Sequence, residues 1–183
     1  MRKLVLVLPT LLVALAWGNL LTNGDFEQPL DVGWQTEYSG VVTIDRDVGY
    51  HPDPDYEIRD SLYASGYGRL YQTVDVPGSR LILNFSAKFE IGGGSSTCWP
   101  VASIVVGYCD QLGAILGETR FYWHNSYCNW TPSSTLSLIE ITDPDWNDYS
   151  LDIVNELAQN LPGVDPNAIK KVQVSAYTYT SGG

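Results

Sequence analysis

Leu81-Ile82-Leu83-Asn84-Phe85-Ser86-Ala87-Lys88-Phe89-Glu90, residues 81–90, alternates without a break. In an extended chain successive side chains point to opposite faces. Leu81, Leu83, Phe85, Ala87 and Phe89 therefore share one side, and Ile82, Asn84, Ser86, Lys88 and Glu90 the other. The first side suits a core. The second is mostly polar and carries groups able to hydrogen-bond a ligand.

The same period extends outward. Upstream, Leu70, Gln72, Val74 and Val76 oppose Tyr71, Thr73 and Asp75, and the turn Pro77-Gly78 joins the two strands. Downstream, Gly92 to Ser96 reads as a loop, after which β-rich runs at 102–109 and 115–124 flank the polar break Asp110-Gln111-Leu112-Gly113. That pattern predicts a hairpin. If it is centred near Gly113, Cys98 faces Cys128 and Cys109 faces Gly117, so a Cys98–Cys128 disulfide is expected, with Cys109 the spare thiol. Residues 150–160 place Leu151, Val154, Leu157 and Ala158 at helical spacing and stop at Leu161-Pro162-Gly163, where proline cannot continue a helix. Residues 168–179 return to alternation, with Val172, Val174 and Ala176 opposite Gln173, Ser175 and Tyr177. About eight antiparallel strands with one short helix predict an all-β, jelly-roll β-sandwich.

The amino terminus has the form of a secretory signal peptide. Arg2 and Lys3 precede an apolar run from Leu4 to Ala16, and Ala14-Leu15-Ala16 or Ala16-Trp17-Gly18 offers small residues for cleavage. The expected organisation is a leader over 1–18 and one sandwich domain over 19–183. The apolar run is shorter than the roughly 20 residues of a membrane span. A secreted or cell-surface location is therefore expected, with no membrane attachment after cleavage. The formal net charge of −11 opposes binding to phosphate backbones, so nucleic acid is not an expected partner. Three cysteines permit at most one internal bridge in an oxidising compartment. With two histidines in the chain and no Cys-x-x-Cys spacing, a zinc site is not expected.

The stretch from Asn19 to Glu27, followed by Gly33-Trp34, resembles the opening of secreted bacterial carbohydrate-binding modules with a galactose-binding-like jelly roll. Further resemblance lies in residues 70–78, in 81–89, in Tyr108-Cys109-Asp110-Gln111-Leu112-Gly113, and in residues 169–177. It implies extracellular, non-catalytic binding of a glycan or polysaccharide. It also implies a structural calcium near Asp25 and Glu27, although the second half of that ligand set, on a further final strand, is missing. Family members continue past a Ser-Gly-Gly-like turn, whereas Ser181-Gly182-Gly183 ends this sequence. Either the sandwich closes with fewer strands or a sheet edge near 177–183 is left open, and a simple truncation is an equal expectation. A neighbouring subunit could fill an open edge by strand addition, which would make the chain a structural subunit of an extracellular filament, sheath or surface layer.

Sugar rings stack on aromatic side chains and hydrogen-bond planar polar groups. Six tryptophans and twelve tyrosines supply the first requirement. Tyr71, Asn84, Lys88, Arg120, Tyr122, His124 and Tyr177 fall on the non-core faces of their strands and could make one aromatic and polar groove if those faces share a sheet. Trp99 and Trp130, beside the expected bridge, could form a loop-borne platform instead. Any one of these aromatics could equally be a packing residue. Asp53, Asp55 and Glu57 alternate beside prolines, as do Asp143 and Asp145, and both sets read as solvated loops. No nucleophile elbow, phosphate loop or His-Glu-x-x-His occurs, so no enzyme activity is expected.

Overall fold

The computed structural model describes residues 19–181 apart from Ser79 and Pro144. The expected leader, and the last two glycines of the expected open edge, lie outside the described residues. The chain is an all-β sandwich with one short helix. In order it forms β1 (Gln35–Ser39), β2 (Val42–Asp47), β3 (Glu57–Leu62), β4 (Gly66–Asp75), β5 (Ile82–Ala87), β6 (Pro100–Cys109), β7 (Ile115–His124), β8 (Leu136–Glu140), β9 (Asn147–Asp152), α1 (Ile153–Asn160) and β10 (Lys171–Thr180). Six strands make one sheet in the order β1-β4-β10-β6-β7-β8, and β2-β3 and β5-β9 form two-stranded sheets.

The alternation of residues 81–90 is realised. Ala87 and Phe89 are buried, Leu81, Leu83 and Phe85 pack against them, and the intervening side chains are exposed. Phe85 meets Phe121 of the large sheet edge-on at 5.1 Å and stacks on Tyr149 of β9, also at 5.1 Å. Val106, Tyr108, Phe121 and Val172 form the opposite wall of this core. Within it runs a polar chain. The Tyr108 hydroxyl lies 2.9 Å from Thr119 Oγ1, which donates to Glu156 Oε1 at 3.0 Å, and Asn160 Nδ2 donates to Glu156 Oε2 at 2.8 Å. Since Thr119 spends its one proton on Glu156, Tyr108 is the donor to Thr119. Burial drives the Tyr108 pKa upward, so its proton stays in place.

Several expectations are corrected. Among the described residues ten strands form, against about eight, and the β2–β3 pair carries half-covered positions with no clean alternation to announce it. β7 and β8 run parallel. The helix starts at Ile153, because Asp152 caps it by accepting from the Asn155 amide, and residues 150–152 belong to β9. Its buried positions are Ile153, Glu156 and Leu157, while Val154 and Ala158 face solvent.

The expected open edge near 177–183 is displaced as well: β10 pairs along its whole length with β4 and β6, and the edges of the large sheet are β1 and β8. The hairpin register sets Tyr108 against Gly117 and Val101 against His124, with a bulge that brings Cys109 against Ile115. Carried past the strand ends, that register puts Cys98 across from Tyr127, one residue short of Cys128. A slip of one residue turns a strand's side chains to the other face. No disulfide joins Cys98 to Cys128, and Cys98 Sγ lies 3.3 Å from Thr180 Oγ1. Cys109 is buried, and burial followed by the charge of Asp110 pushes its thiol pKa up.

Candidate functional site on the outer face of the large sheet

The face of the large sheet turned away from the core is laid out by its register. Ser175 and Val105, neighbours on the two central strands, stand between Tyr71 on β4 and Arg120 on β7. The next row sets Tyr177 and Ser103 between Arg69 and Tyr122. The row beyond sets Gln173 and Gly107 between Thr73 and Glu118. Ser175, Val105, Ser103 and Gly107 keep much of the two central strands low among longer side chains, which leaves a shallow depression of about 210 Å³ lined by Glu37, Tyr67, Arg69, Val105, Ile115, Glu118, Arg120, Ser175 and Tyr177.

Its two arginines are fixed in place. Arg120 donates from Nε and Nη2 to Glu118 Oε2 at 2.9 and 2.6 Å, and its guanidinium lies 4.6 Å from the Trp130 ring centre. Arg69 donates to Gln173 Oε1, lies 4.8 Å over the Tyr71 ring, and has Glu37 at 3.8 Å. Gln173 is held in turn by donating to Thr73 Oγ1 at 2.9 Å. Each positive charge has an acidic neighbour in the same depression, so the groove is polar with little net charge.

Aromatic rings continue the surface. Tyr67, Tyr177 and Tyr179 follow one another at 6.4 and 6.5 Å, and Trp99 meets Tyr179 at 5.1 Å. On the other flank Trp130 stacks on Tyr122 at 5.5 Å, and Tyr122 stacks on His124 at 4.8 Å. His124 Nε2 lies 3.4 Å from Glu140 Oε1. Burial raises the pKa of both Tyr122 and Tyr177.

The structure thus gathers Tyr71, Arg120, Tyr122, His124 and Tyr177 on one face. It joins Trp99 and Trp130 to that face, so the platform and the groove are one surface. It removes Asn84 and Lys88. Asn84 stands on the outer side of β5, opposite Ser150 of β9, and Lys88 is exposed just beyond that strand. Tyr67, Arg69, Glu37, Glu118 and Tyr179 belong to the site and were missed. Tyr67 and Arg69 share the parity of Tyr71, and Glu118 that of Arg120, so alternation alone could have found them.

Asp25 and Glu27 are exposed on the opening loop. That loop is held by Asn23, which accepts from the Gln28 amide at 2.8 Å and whose carbonyl accepts from Trp34 Nε1 at 2.9 Å. Glu27 Oε1 accepts from the Tyr56 amide at 3.1 Å. Calcium takes six to eight oxygens, and among the described residues no third acidic side chain groups with these two.

No protein-family model matches the chain, and no curated protein matches it in sequence. Among solved structures, the enzymatically active domain of bacteriophage CBA120 tailspike protein 4 is similar at a TM-score of 0.51 and 18% identity, over 90% of this chain. The chain spans only 20% of that tailspike chain. A carbohydrate-binding module of the β-sandwich superfamily shows a TM-score of 0.43 and 11% identity, over 82% of this chain and 55% of that one. The tailspike likeness concerns the fold alone, and the other is too distant to bear on function.

Proposed function

We propose that the outer face of the large sheet binds a glycan without chemical change. The observation that carries this reading is the row structure of the face: a floor of Ser175, Val105 and Ser103 between stacked aromatics and two arginines fixed by acidic or amide partners. Aromatic faces accept the apolar side of a sugar ring, and fixed planar donors and acceptors suit its hydroxyls. Glu37 and Glu118, the carboxylates of the depression, both have an arginine beside them, an arrangement suited to positioning and not to a pair of catalytic acids. The leader-like residues 1–18 support an extracellular setting, and the similarity of the opening segment to bacterial carbohydrate-binding modules supports a polysaccharide as ligand.

Binding to a panel of soluble oligosaccharides, measured by calorimetry, tests the proposal. Tyr177→Ala and Arg120→Ala should each weaken the best ligand at least about tenfold, as central interface residues do, with the circular dichroism spectrum intact. Unchanged affinity in both variants would remove the site from this face.

A second reading, assembly into an extracellular polymer, draws on β1. All five of its residues are exposed and it is an edge of the large sheet, and an unpaired edge can template a further strand. Size-exclusion chromatography separates the two readings: a binder elutes as a monomer, and an assembly unit elutes as large species.

A further inference from the structure

We propose that His51, Asp53 and Glu57 form a binding site for a divalent transition-metal ion, with zinc the best match. The three lie at one end of the β2–β3 pair: His51 and Asp53 on the connecting loop, Glu57 at the first position of β3. Each offers a ligand atom, and these atoms all lie within 4.8 Å of one another. His51 Nδ1 is 2.6 Å from Asp53 Oδ2. From the sequence, Asp53, Asp55 and Glu57 beside prolines read as a solvated loop and no zinc site is expected, because the chain has two histidines and no Cys-x-x-Cys spacing.

The second observation comes from Glu57. Its Oε2 is shut off from solvent and no hydrogen-bond partner reaches it. An uncompensated carboxylate oxygen in that setting is costly. Two carboxylates and a neutral imidazole balance the charge of a divalent ion.

The surroundings orient the donors. The Asp55 amide donates to Asp53 Oδ1 at 3.1 Å, which leaves Oδ2 turned to the cluster. Trp146 packs edge-on against the His51 ring at 4.9 Å, and its Nε1 donates to the Tyr50 carbonyl at 3.3 Å. Pro52 and Pro54 fix backbone angles in the loop, which lowers the entropy lost when it closes on an ion. Mixed nitrogen and carboxylate donors suit zinc, with bonds near 2.1 Å, whereas calcium takes oxygen alone. Tetrahedral ligands at that bond length stand roughly 3.4 Å apart, so an ion would part His51 Nδ1 from Asp53 Oδ2, which now lie 2.6 Å apart, and water completes the shell. β3 packs on the core side of the large sheet, where Asp60 accepts from Thr178 Oγ1. The metal site is therefore separate from the proposed glycan face.

Titration of the purified chain with Zn²⁺ by calorimetry, and with Co²⁺ by visible absorption, tests the assignment. One equivalent should bind, and His51→Ala and Glu57→Gln should each weaken it by more than about a hundredfold, beyond the roughly 10–100-fold that loss of an outer-shell partner commonly costs. Both variants should keep the wild-type circular dichroism spectrum. A wild-type chain that takes up no Zn²⁺, or variants that bind as tightly as wild type, would overturn the proposal. If a variant fails to fold, the wild-type Co²⁺ spectrum decides. Nitrogen and oxygen donors give weak visible bands alone, whereas an intense near-ultraviolet thiolate band would assign the ion to cysteine and sink the site.

Discussion

Asp60 illustrates what one residue does to the pH response of this fold. Its Oδ1 accepts from Thr178 Oγ1 at 3.0 Å, but Oδ2 is buried without a partner, and burial raises the pKa from 3.8 to about 6. An acid whose pKa is higher in the folded state binds more protons there than when unfolded. Asp60 therefore lowers stability as pH climbs from about 4 through about 6, by up to roughly 3 kcal/mol for a shift of this size. Thermal unfolding followed from pH 4 to pH 7 should show that decline, and Asp60→Asn should reduce it and raise the melting temperature at pH 7. Gly68 stands against the same group: a Cβ there would come within 2.3 Å of Asp60 Oδ1 and 2.8 Å of Val42 Cγ1. Gly68→Ala should cost about 1–3 kcal/mol by overpacking, measurable by chemical denaturation.

Among the elements, β7 joins the two sides of the large sheet. Thr119 and Phe121 face the core while Glu118, Arg120 and Tyr122 face the groove. Thr119→Val keeps the shape but leaves Glu156 Oε1 and the Tyr108 hydroxyl without their shared partner. That should destabilise by about 1–3 kcal/mol, read from the denaturation midpoint, with glycan affinity unchanged because the substitution lies on the opposite face. Alternation made this division of β7 readable in advance, just as it did for Leu81 to Phe89. Helical spacing was less informative at residues 150–160, where a capping aspartate and a strand end shifted the start of α1 to Ile153 and turned Val154 outward.

At the scale of the molecule, the proposed groove sets Arg69 and Arg120 beside Glu37 and Glu118, so it exerts little long-range field. Affinity for a neutral oligosaccharide should change by less than about twofold when ionic strength rises from low to near-molar salt, since screening acts on unbalanced charge. A steep fall in titrations at several salt concentrations would show that the arginines act as free charges and that the ligand is acidic. The sequence by itself determined the parity of four strands, that is, which side chains line up along β4, β5, β7 and β10, and hence the all-β class. Parity is a property of adjacent residues, so it survives without knowledge of the fold. Only the tertiary structure decided which strands share a sheet. That choice united Tyr71, Ser175, Val105 and Arg120 and sent Asn84 and Lys88 to another layer. It also placed β10 in the sheet's interior and moved Cys98 off the register of Cys128. Pairing depends on contacts between segments tens of residues apart, and no local spacing encodes them.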